Sequence, residues 1–244
     1  MVCLCLKNKG SAVRFCLWPL MLHIIPAAGK ATRIGGIPKF LLPVDEKKFL
    51  LDFHVNSVSL NNVNLRKVIA VSKEFYETVH RMDFNAELVV VETKTMNETV
   101  LEVINLFPDE KNYLLTMPDT YFNDADLVNK MYKQYQENVE GTLGIWKILQ
   151  NQKGKLGQCK INKSHVINIK DKDVNCRYDY FWGAIMWNST LNKYISKHDA
   201  HIGFMAEKSI DAKHLINFQK AQKKYFDCGT FESYKELLLS KNRA

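Results

Sequence analysis

A chain of 244 residues can bury one sizeable core and is short for two, and its 46% hydrophobic and 25% charged residues exclude a disordered chain. No apolar run approaches the ~20 residues of a membrane-spanning helix. The net charge of +8 suits an anionic partner, which on composition alone is a nucleic acid, a membrane surface or a phosphorylated small molecule.

The first twenty residues, MVCLCLKNKGSAVRFCLWPL, interrupt their apolar pieces with Lys7, Lys9, Gly10 and Arg14, unlike a signal peptide. They read as an N-terminal extension (residues 1–20), with an upstream start as its origin, and residues 21–244 as a single domain. From Met21 onward short β-rich runs alternate with helical ones. Residues 22–25 form a strand that opens into the loop IPAAGKATRIGGIPK. Residues 50–62 read as a helix, 67–72 as a strand, 73–82 as a helix, 87–92 as a strand and 97–107 as a helix. Residues 112–118 form a strand that stops at Asp119; 124–137 are helical and 141–148 return to strand. This alternation predicts an α/β fold whose parallel sheet is covered on both faces. From Leu156 the rhythm changes. LGQCKIN, HVINIK and YDYFWGAIMWN are short strand-like pieces that suit an antiparallel or mixed extension, and TFESYKELLLSK (230–241) closes the chain as a helix.

The loop after the first strand carries the chemistry. Ala27, Ala28 and Gly29 have little or no side chain, so an anion can reach the backbone N–H groups of the turn. Lys30, Arg33 and Lys39 add charge: the guanidinium offers a planar fork of donors for phosphate oxygens, the ammonium of Lys39 a compact mobile cation. Pro38 stiffens the chain ahead of Lys39. The loop suits a di- or triphosphate. It is neither a Walker A loop, since Gly29-Lys30 is followed by Ala31, nor a dinucleotide fingerprint, since Gly29, Gly35 and Gly36 do not spell Gly-x-Gly-x-x-Gly. For Arg33 and Lys39 the alternative is a solvated surface charge.

Ala-Ala-Gly-Lys-x-x-Arg (27–33) followed by Pro-Lys-x-Leu-Leu-Pro-Val (38–44) resembles the signature of the sugar-phosphate nucleotidyltransferases. LLTMPDTYF (114–122), NIKDKDV (168–174), DYFWGAIMW (179–187) and KYFDCGTFESYKELL (224–238) resemble further segments of that family, in its order. The resemblance implies a Rossmann-like three-layer sandwich with a mainly parallel central sheet and a strand-rich C-terminal half. It also implies an enzyme that condenses a nucleoside triphosphate with a sugar 1-phosphate and releases pyrophosphate. In that reading Arg33 and Lys39 are catalytic, and residues 27–30 with Arg33 and Lys39 bind the nucleotide. Lys172, Gly157 and Gly183 serve the sugar phosphate, and Asp119 with Asp227 holds a Mg²⁺ ion. Several readings stay open beside these. Asp119 suits a helix N-cap, although Asp124 is better placed to cap the helix that follows, and Asp227 suits a turn. Lys172 lies in a run of alternating charges that suits solvent, and Gly183 suits a β-bulge as well as a close approach to sugar.

The four-residue spacer between Arg33 and Pro38 is shorter than in the thymidylyl- and uridylyltransferases of the family that act on hexose 1-phosphates, and resembles the cytidylyl, acetylglucosamine-phosphate uridylyl and molybdopterin branches. The base-reading segment of the family is replaced by TKTMNETV (93–100), which keeps a catalytically silent relative in view. A cytidylyltransferase acting on a phosphorylated alcohol or polyol is the alternative enzyme. No basic run interleaved with aromatics supports a nucleic-acid partner, and a homo-oligomer is left open. The six cysteines form no Cys-x-x-Cys pair and read as reduced thiols of a cytoplasmic protein.

Overall fold

Residues 3–8, 11–16, 20–29, 37–61, 63–124, 126–137, 139–171 and 173–241 are described by the computed structural model. Lys30, Arg33 and Lys172 fall outside the described residues.

Two strands in the N-terminal extension, β1 (Cys3–Asn8) and β2 (Ser11–Cys16), pair antiparallel with each other as a separate sheet. The sequence reading anticipated no hairpin there. The main sheet begins with β3 (Leu20–Ala27), followed by α1 (Leu50–Asp52), which runs on as a π-helical turn over Phe53–Ser57. Then come β4 (Asn64–Val71), α2 (Lys73–His80), β5 (Glu87–Val90), α3 (Met96–Leu106), β6 (Asn112–Thr116), β7 (Thr120–Phe122), α4 (Leu127–Tyr135) and β8 (Gly141–Lys147). The C-terminal half supplies β9 (Gly157–Ile161), β10 (Val166–Asp171), β11 (Tyr180–Asn188), α5 (Gly203–Asp211), β12 (Ile216–Lys220), β13 (Tyr225–Asp227) and α6 (Phe231–Lys241).

Nine of these strands form one sheet, with the path β10-β9-β11-β6-β3-β4-β5 and with β8 bridging β11 to β12. The β6-β3-β4-β5 block is parallel throughout, because helices cross between its strands. β11 then runs antiparallel to β6, β8 and β9, giving the mixed extension that the sequence rhythm predicts. The three layers follow from alternation along buried strands. Leu22, Ile24, Val68 and Ala70 pack with Val100 and Val103 of α3 on one face. Ile25, Ala27, Ile69 and Val71 pack with Leu51, Val55 and Val79 on the other.

Several expected elements change at their ends. The helix expected over 50–62 stops at Ser57, because Val58 turns extended (φ −79°, ψ 114°) and is buried. The helix expected over 124–137 shortens to Leu127–Tyr135. Asp124 is no cap: its carboxylate accepts a 2.8 Å hydrogen bond from Gln222 N, and Asp126 takes the N-cap position instead. Helix α5 and strands β7 and β12 had no counterpart in the sequence reading. β7 and β13 are three residues each, too short for a periodic signal, and each is a strand only because the other pairs with it.

β3 and β6 are hydrogen-bonded neighbours only from Leu22–Tyr113 to Ile24–Leu115. Beyond that register β3 and β6 no longer pair with each other, although β3 stays paired with β4 through Ala27, and Pro26, which lacks a donor, lies where the β6 ladder has ended. A cavity opens at this point.

Candidate active site

The cavity measures about 530 Å³ and is built from three segments that leave carboxyl ends of parallel strands. Pro26–Gly29 span the end of β3, Thr93–Met96 come after β5, and Met117–Asp119 follow β6; Lys39, Phe40 and Thr99 complete the wall. Ligands of open α/β sheets bind at this edge. Among the described residues, a Cβ built on Gly29 would meet no atom within 4 Å. Ala28 and Gly29 are among the residues that line the cavity.

The segment 93–100 turns out to be a helix start. Thr95 is the N-cap of α3; its hydroxyl accepts from Glu98 N at 3.1 Å, while the Glu98 carboxylate accepts from Lys94 N at 2.6 Å and Thr95 N at 3.3 Å. The Thr93 and Thr99 hydroxyls share a 2.6 Å hydrogen bond at the cavity wall. The sequence reading began a helix at Asn97 and otherwise treated TKTMNETV as a departure from a family pattern. The signal it missed was Thr-x-x-Glu at the head of that helix, which specifies a capping box. The reciprocal bonds fix the backbone of the cavity wall.

Lys39 begins a 3-10 turn after Pro38, and its ammonium donates to Asp119 Oδ2 at 3.0 Å, with both side chains partly exposed. Asp119 caps no helix. It sits in a turn closed by Thr120 N and Thr120 Oγ1, which donate to Met117 O at 3.1 and 2.7 Å. Its own carbonyl accepts from Cys228 N at 3.0 Å, and Asp227 is the ladder partner of Thr120. The fold therefore brings Asp119, in the turn just ahead of β7, beside Asp227, the last residue of the paired strand β13. The Asp227 carboxylate also accepts from Gly229 N at 3.0 Å. Cys228, buried between them, is pushed up to about 12 by burial and then by the charges of Asp119 and Asp227, so it is a neutral thiol.

Below the Asp119 turn lies His54 of the π-helical turn, fully buried. Burial pulls its pKa down to about 4, against the hydrogen bond to the Thr120 backbone and the charge of Asp119, which act to raise it. Sequence reasoning gave this histidine no role, because a lone histidine on an apolar helix face carries no pattern.

Gly157 and Gly183 do not line the cavity. Gly183 lies at a register shift of β11 against β8, and a Cβ there would overlap the Tyr225 ring and come within 2.9 Å of Trp146 Cζ3. A Cβ on Gly157 would overlap the Trp182 indole. Both glycines make room for buried aromatic rings. Tyr225 is two residues from Asp227, so the space at Gly183 helps seat the strand that carries that carboxylate.

The MobA-like NTP transferase domain family matches residues 23–147, which hold the loop, the capped wall and Asp119. The chain belongs to this family. It is a nucleotidyltransferase, in agreement with the resemblance carried by its first motif. No curated protein matches it in sequence. Among solved structures, a UDP-glucose pyrophosphorylase complexed with UDP-glucose superposes with a TM-score of 0.77 at 15% identity, covering 92% of this chain and 99% of that one. The inositol-1-phosphate CTP transferase from T. maritima gives 0.70 at 17% identity over 91% and 96%. A UTP-bound UGPase from Acinetobacter baumannii gives 0.73 at 13% identity over 91% and 93%. At these identities the likeness is one of fold, and it extends the family's architecture over residues beyond 147. Among the described residues no helix is long and apolar enough to cross a membrane.

Proposed function

We propose that residues 21–244 act as one domain that joins a nucleoside triphosphate to a sugar 1-phosphate, releasing pyrophosphate, with Mg²⁺ as its cofactor. The observation that carries this reading is the cavity at the carboxyl ends of β3, β5 and β6, with bare main chain on one side and the Lys39–Asp119 pair on the other.

In the reaction, an oxygen of the sugar phosphate bonds to the α-phosphorus as the bond from that phosphorus to the bridging β-phosphate oxygen breaks. The electron pair leaves with pyrophosphate, and no proton moves in the step. The barrier is the meeting of two polyanions, so the protein's work is positioning and charge stabilisation. Main-chain N–H groups at Ala28 and Gly29, with Lys30 and Arg33, hold the β- and γ-phosphates. Lys39 swings from Asp119 to the α-phosphate, and Lys172 holds the sugar phosphate. The donor set at Asp119 and Asp227 fits Mg²⁺ in kind, because two carboxylate-bearing residues whose main chains are neighbours would leave coordination positions for phosphate oxygens and water. When bound, the ion supplies positive charge between phosphates that repel each other.

A second reading, a cytidylyltransferase acting on a phosphorylated alcohol or polyol, is favoured by the four-residue spacer between Arg33 and Pro38. Buried free thiols at Cys159, Cys176 and Cys228 support a reducing, cytoplasmic location. Pyrophosphate release, measured with each common triphosphate against a panel of sugar and polyol phosphates, tests both readings. Release with a hexose 1-phosphate supports the first, and release only with CTP and a polyol phosphate supports the second. No release with any pair, with Mg²⁺ present, retires both.

A further inference from the structure

A line of buried polar side chains runs through the core beneath the Asp119 turn. His23 of β3, Thr116 at the end of β6 and His54 are all fully buried. His23 Nε2 and the Thr116 hydroxyl lie 2.8 Å apart, His54 Nδ1 and the same hydroxyl 2.9 Å, and His54 Nε2 and the Thr120 carbonyl oxygen 2.8 Å.

The chemistry of the last acceptor orders the whole line. A carbonyl oxygen only accepts, so His54 carries its proton on Nε2 and donates it to Thr120. His54 Nδ1 is then a lone pair, and the Thr116 hydroxyl donates to it. The Thr116 oxygen in turn accepts from His23 Nε2–H. That leaves His23 Nδ1 as a bare lone pair, and it has no hydrogen-bond partner among the described residues. One direction of donation therefore satisfies every link and ends on one main-chain atom beside Asp119.

Burying two imidazoles and a hydroxyl in a core costs more than burying apolar groups of the same shape, so packing alone gives no reason for the line. Its endpoint does. Thr120 is the first residue of β7 and the ladder partner of Asp227, and it follows Asp119 directly. The turn is held by His54 at the Thr120 carbonyl, by Met117 at the Thr120 hydroxyl and by Cys228 at the Asp119 carbonyl.

We propose that His54, oriented by Thr116 and His23, is a positioning residue that sets Asp119 against Asp227 for the divalent ion. The inference rests on the reading that these two carboxylates share that ion. Outer hydrogen-bond partners of metal ligands typically change metal affinity by roughly 10- to 100-fold when removed, and His54, acting through main chain, belongs at the lower end.

The test is Mn²⁺ binding to the full chain, followed by electron paramagnetic resonance of the free ion, alongside thermal unfolding midpoints. The wild type binds Mn²⁺ and Asp227→Asn does not. His54→Leu and Thr116→Val weaken Mn²⁺ about tenfold, while His54→Gln, whose amide N–H reaches the position of Nε2–H, stays within about threefold of wild type. Wild-type Mn²⁺ affinity in His54→Leu and Thr116→Val, with only the unfolding midpoint lowered, reduces His54 to a packing residue and overturns the proposal. If His54→Leu does not fold, the isosteric Thr116→Val decides by the same criterion. Mn²⁺ binding that Asp227→Asn leaves intact removes the shared ion itself, and the positioning role with it.

Discussion

Acidification from pH 7 to pH 5 should destabilise this protein through His54 in an amount that the burial of its ring sets. Burial holds the folded pKa at about 4 against the ordinary 6.5 of a solvated imidazole, so the unfolded chain binds a proton in a window where the native state binds almost none. Stability from the neutral ring is fully present above pH 6.5 and is lost as pH falls toward 4. Integrating the difference between the two titration curves from pH 7 to 5 gives a loss of about 2 kcal/mol from this one residue. His23, depressed first by its own burial and then by the charges of His54 and Lys67, adds to the loss in the same direction. Urea unfolding at both pH values, in wild type and in His54→Gln, isolates the term, since glutamine does not titrate. The wild type should lose about 2 kcal/mol more than the variant over this interval. Equal losses in the two proteins would mean that His54 is solvated or already charged in the native state, and the reasoning fails.

Arg33→Ala and Asp119→Ala should each lower turnover on the order of 10²-fold or more without unfolding the protein, measured as pyrophosphate release; wild-type rates in both remove the assigned roles. Gly183→Ala forces a methyl group against the Tyr225 ring and Trp146, and should cost about 1–3 kcal/mol in urea unfolding; an unchanged midpoint means that the rings move aside freely. Thr95→Ala removes the α3 cap and should cost about 1 kcal/mol. Thr95→Ser, which keeps the hydroxyl, should recover most of it, and no recovery points to lost methyl packing instead.

The alternation of apolar runs with helical periods gave the parallel block, because strands buried on both faces and crossed by helices leave a local signature. Boundaries slipped where tertiary contacts decide them. Val58 leaves the helical conformation and is buried in the core, and Asp124 spends its carboxylate on the distant Gln222 backbone rather than on a helix cap. Gly183 was readable as either a sugar contact or a bulge. The register shift and the Tyr225 ring against it supply a packing reason for glycine there.

By itself the sequence determined that small residues and cations cluster after the first strand, since residues contiguous in the chain stay together however the rest folds. It determined the α/β class for the same reason. Only the tertiary structure decided what the Asp119 turn rests on. His54 and Thr116 are 62 residues apart, and β7 exists because β13 pairs with it. Hydrogen bonds between remote segments have no period and no motif in one sequence, and they appear only when the sheet has set its register.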